Sequence, residues 1–205
     1  MAMAPPTNTA IFGQTFQCEC GKTHRIQPDR IVIGQGYLER LAELCSMAAT
    51  GRRAAVLMDD RTRRIAGAAA GAVLSKAGWD VAEMLVEDPP GGWPICDDLT
   101  KDALASRLAG PDLIVTVGSG VVTDLGKWLA FERNVPFLAV ATAASMNGYS
   151  SANVAPTIQG VKTLVRARPP VAVLAHTDVL CQAPYEMTAA GLGDLLAKSV
   201  SSTDW

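Results

Sequence analysis

Asp112-Leu-Ile-Val-Thr-Val-Gly-Ser-Gly-Val-Val-Thr-Asp-Leu-Gly-Lys127 is the stretch that decides the fold. Residues 113–117 are apolar and largely β-branched, which reads as a buried strand. Gly118-Ser119-Gly120 breaks the run, and a helical pattern begins at about Val121. A strand, a tight glycine turn and a helix start together make a phosphate cradle. The glycines let the backbone approach an anion, and the free N–H groups of the first helical turn point at it. The same pattern also serves as a plain β-to-α turn, so the flanks must arbitrate.

Strand and helix signals alternate on both sides of this stretch. Upstream, residues 30–34 form a short strand ending in glycine. Residues 37–49 follow as a helix with Leu38, Leu41, Leu44 and Cys45 on one face. Residues 54–58 are a strand ending at Asp59-Asp60, 62–77 an Ala-rich helix with Gly78 as its left-handed C-cap, and 81–86 a strand. A Pro/Gly loop at 88–94 leads to a helix over 97–108. Downstream, residues 137–141 are a strand, followed by the polar loop Thr142-Ala-Ala-Ser145-Met-Asn147-Gly-Tyr-Ser-Ser151. Residues 154–158 and 161–165 flank Gln159-Gly160 as a hairpin with a two-residue turn. The last strand is 171–175. Pro184 starts a helix at its first position, Gly191-Leu-Gly193 interrupts it, and a second helix runs from Asp194. This alternation predicts an α/β domain, Rossmann-like, with a mainly parallel sheet covered on both faces. The expected division is 1–182 for this domain and 183–205 for the first helices of an all-α second domain, cut short at Trp205.

Composition narrows the function classes. A chain of 205 residues that is 49% hydrophobic buries a sizeable core. The net charge is −2 and the densest basic patch, Arg61 to Arg64, opens a helix as a solvated face, which argues against nucleic acid. No run of 18 apolar residues is present, so no membrane span is expected. Residues 1–10 read as frayed, and Met1 to Thr9 lack a secretory signal. Five cysteines, an odd and scattered set, point to a reduced, cytoplasmic protein. Cys18, Cys20 and His24 invite a zinc reading, but the one-residue spacing and the lack of a second pair favour a β-hairpin across Gly21.

Ligands of open α/β sheets bind at the C-terminal ends of strands. Asp59 sits there. Its acid can accept from an adenosine ribose and would disfavour a 2′-phosphate, or it caps the next helix, a task Asp60 could take instead. Gly118-Ser119-Gly120 and the loop Thr142 to Ser151 end two further strands. Asp194, after two glycines, is either a helix N-cap or a metal ligand. A catalytic metal needs at least three protein ligands, and His24 and His176 are not spaced as its partners.

Three motifs in order, Gly118-Ser-Gly-Val-Val-Thr-Asp-Leu-Gly-Lys127, Thr142-Ala-Ala-Ser145-Met-Asn-Gly-Tyr-Ser-Ser151 and Ala190-Gly-Leu-Gly-Asp194-Leu-Leu-Ala-Lys198, resemble the sn-glycerol-1-phosphate dehydrogenases of the iron-containing alcohol dehydrogenase and dehydroquinate synthase superfamily. The resemblance implies an NAD(H)- or NADP(H)-binding domain followed by a helical one, with the active site between them. It places the pyrophosphate on Gly118, Ser119, Gly120, Val121 and Val122. The nicotinamide side falls to Thr142, Ala143, Ala144, Ser145 and Ser151, and the ribose to Asp59. It makes Asp194 the catalytic residue, ligand to Zn²⁺ or Ni²⁺ and contact to a polyol phosphate, glycerol 1-phosphate or dihydroxyacetone phosphate.

Two departures stand out. Asn147 occupies a substrate-contacting position where the family pattern has Asp, and it loses the charge while keeping an acceptor. The histidine metal ligands are not in this chain, so the isolated chain is expected to be inactive. A glycerol or other polyol dehydrogenase and a non-catalytic nucleotide-binding fragment are the alternatives. A lyase of the dehydroquinate synthase kind fits the Ser145-Met-Asn-Gly-Tyr loop less well. The apolar faces of residues 184–205 predict a homo-oligomer.

Overall fold

The computed structural model describes residues 11–201. The expectations for residues 1–10 and for Trp205 lie outside the described residues. A hairpin comes first, β1 (Thr15–Gln17) and β2 (Thr23–Arg25). Then follow β3 (Arg30–Ile33), α1 (Tyr37–Ala48) and β4 (Arg53–Met58). The next helix starts as α2 (Asp60–Thr62), passes through a π-helical turn at Arg63–Gly67 and continues as α3 (Ala68–Lys76). β5 (Asp80–Leu85), α4 (Asp98–Arg107), β6 (Leu113–Gly118), α5 (Gly120–Arg133) and β7 (Phe137–Ala141) alternate as expected. Four two-residue strands follow: β8 (Asn153–Val154), β9 (Thr157–Ile158), β10 (Val161–Lys162) and β11 (Val165–Arg166). The chain then forms β12 (Ala172–Ala175), α6 (Thr177–Cys181) and α7 (Tyr185–Ser201).

Six strands make one parallel sheet in the order β3-β12-β7-β6-β4-β5. Period-2 alternation divides β4 between two cores. Ala54, Val56 and Met58 face one side with Leu41, Leu44 and Leu74 of α1 and α3. Ala55 and Leu57 face the other with Leu104, Leu125 and Leu129 of α4 and α5. Each such Val, Leu or Met side chain, withdrawn fully from water, contributes about 1.5–3 kcal/mol. Covering both faces is what makes β6 wholly buried and wholly apolar but for Thr116.

The sheet order also sets the crevice. The chain passes from β4 outward to β5, then returns to β6 on the other side of β4. The strand order therefore reverses between β4 and β6, and in open α/β sheets ligands bind beyond the C-terminal ends of strands at such a reversal. Asp59 follows β4 and Gly118 ends β6, so the two candidate loops flank that point.

Gly78 lies in the left-handed region after α3 (φ 84°), as a C-terminal glycine should. Gln159 and Gly160 both have positive φ, the requirement of a type I′ turn, although the hairpin they close is split into the pairs β9–β10 and β8–β11. α6, capped by His176, was not foreseen. The Arg61–Arg64 patch is not simply solvated: Arg61 pairs with Asp59 and Asp88, Arg63 with Glu83, and Arg64 with Asp60.

The C-terminal helix departs from the expected break at Gly191-Leu-Gly193. Gly191 and Gly193 do not interrupt it; α7 runs unbroken through both. An interior glycine costs about 1 kcal/mol against alanine, which a packed contact can offset. Gly191 makes such a contact, since a Cβ there would strike the backbone carbonyl of Ala144. Asp194 is therefore a mid-helix residue and not an N-cap.

Candidate active site at the sheet crevice

The glycine turn is built as the sequence implied. Ser119 is the N-cap of α5, and its hydroxyl accepts from the N–H of Gly120 at 2.6 Å. The two glycines serve different ends. A Cβ on Gly118 would lie 2.6 Å from Cβ of Val122, so this position is glycine for close strand–helix packing. A Cβ on Gly120 would meet only Sδ of Met146, at 3.5 Å. Gly120 thus has room for a Cβ, unlike Gly118.

A cleft of about 420 Å³ opens against this turn, within the range of small-molecule sites. Asp59, Ser119, Val121, Val122, Thr142 and Ala143, six of the residues singled out from the sequence, line it together. Gly118, Gly120, Ala144, Ser145, Asn147, Ser151 and Asp194 are not among its lining residues. Ser119 and Ser145 share a hydrogen bond between their hydroxyls at 2.6 Å. Asn147 donates its backbone N–H to Oδ2 of Asp194 at 2.8 Å. Ala144 lends its carbonyl to the Gly191 contact. Ser151 accepts from Nζ of Lys127 at 2.9 Å.

Asp59 carries two duties. Its Oδ1 accepts from the N–H of Thr62 at 2.8 Å, and Thr62 Oγ1 accepts from the N–H of Asp59 at 3.0 Å, a reciprocal cap. The cap falls to Asp59, and not to Asp60 as one reading allowed. Its Oδ2 accepts from Arg61 at 3.2 Å, so a guanidinium stands beside the acid at the mouth of the crevice. A carboxylate has about four lone-pair sites, so Asp59 keeps acceptor capacity for a ligand.

Several residues at the site were not anticipated. Trp93, 72% exposed, lines the same cleft, and the Arg61 guanidinium lies 4.9 Å from its ring centroid. A lone Trp in a Gly/Pro loop was its only sequence signal. Tyr149 ties the turn to the polar loop by donating to the carbonyls of Ala143 (2.8 Å) and Gly118 (3.2 Å). Burial pushes its hydroxyl up to about 12, so it stays a neutral donor. Lys127 is fully buried on α5. Its ammonium donates to the Gly148 carbonyl at 2.8 Å, to Ser151 Oγ at 2.9 Å and to the Asn153 carbonyl at 3.2 Å, with Asp124 at 3.5 Å. A lysine between Leu125-Gly126 and Trp128-Leu129 is out of place on an apolar helix, and that was the legible signal.

The crevice suits a nucleotide: amide donors at a helix start, hydroxyls beyond them, and apolar walls. Asp194 does not by itself suit a catalytic cation, which needs three protein ligands. Among the described residues it belongs to no group of three potential metal ligands.

Fold and crevice define the class: a doubly wound parallel α/β domain whose ligand cleft lies at the reversal of strand order. The family model of iron-containing alcohol dehydrogenases matches residues 32–184, and the chain belongs to that family. Among curated relatives, the glycerol-1-phosphate dehydrogenase (NAD(P)+) of Bacillus licheniformis is 34% identical over 195 residues, covering 92% of this chain and 47% of that protein. The enzyme of the same name from Bacillus subtilis is 30% identical over 193 residues, covering 94% and 49%. The chain thus spans about half the length of the curated relatives it matches. A solved glycerol dehydrogenase from Schizosaccharomyces pombe superposes with a TM-score of 0.74 at 24% identity, covering 84% of this chain and 43% of that one. An iron-containing alcohol dehydrogenase from Thermotoga maritima gives 0.73 at 16% identity, covering 84% and 53%. At these identities the two structures bear on the fold alone.

Proposed function

We propose that this chain is the cofactor-binding part of an NAD(P)-linked glycerol-1-phosphate dehydrogenase, acting on a polyol phosphate. The observation that carries it is the cleft at the ends of β4 and β6, lined by Asp59, Ser119, Val121 and Val122. The names of the relatives support the cofactor and substrate. In this reading the first-turn amides of α5 hold the pyrophosphate, Thr142 to Ser145 and Ser151 frame the nicotinamide side, and Asp59 meets the ribose. When bound, the nicotinamide supplies the hydride acceptor or donor, and the protein orients it. Asp194 and Asn147 face the substrate, with Asp194 offered to a divalent cation, Zn²⁺ or Ni²⁺, whose further ligands are not among the described residues. Residues 1–182 then form the cofactor domain, and 183–205 the start of a helical one. The 205 residues alone bind cofactor without turnover.

α7 supports a further partner surface. Leu192, Leu195, Leu196 and Val200 are 57–65% exposed, and no residue of the helix is buried. We read this face as covered in a homo-oligomer or by further helices. Free cysteines at all five positions agree with a cytoplasmic setting, and among the described residues no helix is long and apolar enough to cross a membrane. A second reading, nucleotide binding without catalysis, draws on Asn147, whose neutral amide stands where the family motif carries an acid.

The test is an NADH fluorescence titration of the 205-residue chain and of Gly120→Val. Gly118→Val is a poor probe, because it would collide with Val122 in the empty protein. Saturable binding weakened about tenfold or more by Gly120→Val, equivalent to about 1.4 kcal/mol or more, is expected, with an unchanged melting curve. Absence of binding by an unmutated, cooperatively melting chain would overturn the reading.

A further inference from the structure

The β1–β2 hairpin leaves a cluster that the crevice does not use. Phe16 pairs with His24 across it, and Gly21, at φ 80°, turns the chain between the strands. The turn is closed by the N–H of Cys18 on the Lys22 carbonyl and the N–H of Gly21 on the Cys18 carbonyl, both at 2.9 Å. This folding brings Cys18, Cys20 and His24 to one side. Their ligand atoms all lie within 4.8 Å of one another, and Cys20 Sγ is 3.1 Å from His24 Nε2. The alternation that favoured a hairpin therefore also brings the three side chains together.

We propose that Cys18, Cys20 and His24 form a metal site of their own, taking a borderline-soft divalent cation of the zinc type. Two thiolates and an imidazole are the donor set for such an ion. With Zn–S of about 2.3 Å and Zn–N of about 2.0–2.1 Å, tetrahedral ligand atoms stand roughly 3.6–3.8 Å apart. The observed spacing reaches this by small side-chain rotations. The hairpin also has a structural need. Its strands are three residues each, every one of the six is exposed, and the pair is not joined to the main sheet. A two-stranded hairpin with no buried face is marginal in water, and a metal crosslink is one of the ways small elements are held.

The remaining sulfur and imidazole groups contrast with this cluster. Cys45 and Cys96 are buried in the two cores, which pushes both thiols up to about 12. His176 caps α6 with Nδ1 and lies against Tyr37. Clustered thiols in a reducing compartment read as metal-binding rather than as a disulfide. Binding displaces the two thiol protons, and His24 enters as neutral imidazole, so affinity falls as the pH is lowered. Three protein ligands leave one tetrahedral position for water or another exchangeable donor.

The test is a Co²⁺ titration of the reduced, chelator-treated 205-residue chain, read by the thiolate-to-metal charge-transfer band, followed by Zn²⁺ competition. We expect one Co²⁺ per chain, displaced by Zn²⁺. Cys18→Ser, Cys20→Ser and His24→Ala should each weaken binding at least about a hundredfold, the upper end of what loss of even an outer-shell partner costs. Cys181→Ser should leave the band unchanged. Zn²⁺ should also slow tryptic cleavage after Lys22 and Arg25 in the unmutated chain. The hairpin lies outside both cores, so the variants fold and a matched melting curve checks it. No charge-transfer band in the unmutated chain, or an unchanged band in Cys18→Ser/Cys20→Ser, would overturn the site. Loss of two free thiols in air, restored by reductant and with no metal taken up, would overturn it in favour of a Cys18–Cys20 redox pair.

Discussion

Asn147 and Asp194 meet backbone to carboxylate: the Asn147 N–H donates to Oδ2 of Asp194 at 2.8 Å, and the Asn147 amide approaches the Asp194 carbonyl at 3.4 Å. The pair joins the loop after β7 to the middle of α7. It holds the one acid of the third motif at the loop that ends a central strand.

The docking of α7 has a paired test in its two glycines. A Cβ on Gly191 strikes the Ala144 carbonyl, whereas one on Gly193 meets nothing within 4 Å. Overpacking costs about 1–3 kcal/mol, and replacing a helical glycine by alanine returns about 1 kcal/mol. Gly193→Ala should therefore stabilise α7, and Gly191→Ala should undock it and break the Asn147–Asp194 bond. Amide exchange over residues 185–201 reads this directly: slower in the first variant, faster in the second. Equal slowing in both would show that Ala144 does not set the position of the helix.

Lys127 should behave as a buried staple. Burial pulls its ammonium below the usual lysine range and raises the Asp124 carboxyl, and the two partly offset each other. Lys127→Met removes the charge partner of buried Asp124 and takes one donor each from the Gly148 carbonyl, Ser151 Oγ and the Asn153 carbonyl, at a cost of roughly 3–5 kcal/mol. Urea unfolding should show a much lower midpoint, partly recovered in Lys127→Met/Asp124→Asn. A shift under about 1 kcal/mol would mean that water serves these groups equally well.

Acid stability should report on the junction of β4 and β6. Asp112 accepts from Arg53 at Nη2 (2.9 Å), at the backbone N–H (3.0 Å) and at Nε (3.2 Å). These bonds, the side-chain one first, hold its carboxyl below the usual carboxylate range. A lowered folded pKa means that the unfolded chain binds the proton first. The contribution is complete above the unfolded value and is lost as the pH falls through the folded one. Asp112→Asn should flatten this acid limb of the stability curve. The pair is exposed, so added salt should shrink the effect. An unchanged limb at low salt would assign the acid loss to other carboxylates.

Much of this architecture was legible in the chain. The strands at 54–58, 113–117 and 137–141 are runs too apolar for one-sided burial, and both of their faces are covered. The glycine turn was legible because its signal is local: a strand, two glycines and a helix start within ten residues. The same locality misled at Gly191-Leu-Gly193. Two glycines ahead of an acid look like a helix boundary, but the contact that keeps the helix whole comes from Ala144, 47 residues before Gly191 in the chain. The reciprocal cap on Asp59 was within reach, since Thr62 stands three residues on.

The sequence by itself determined the alternation of strands and helices, the parallel sheet and the turn at Gly118-Ser119-Gly120. Those rest on side-chain period and backbone freedom, properties of neighbours along the chain. Only the tertiary structure decided which loops share a cleft, that Asp194 lies within a helix and bonds to Asn147, that Lys127 is buried under the polar loop, and that Cys18, Cys20 and His24 converge. Each of these depends on strand order and on packing between distant residues, where burial and hydrogen bonding outweigh local preference.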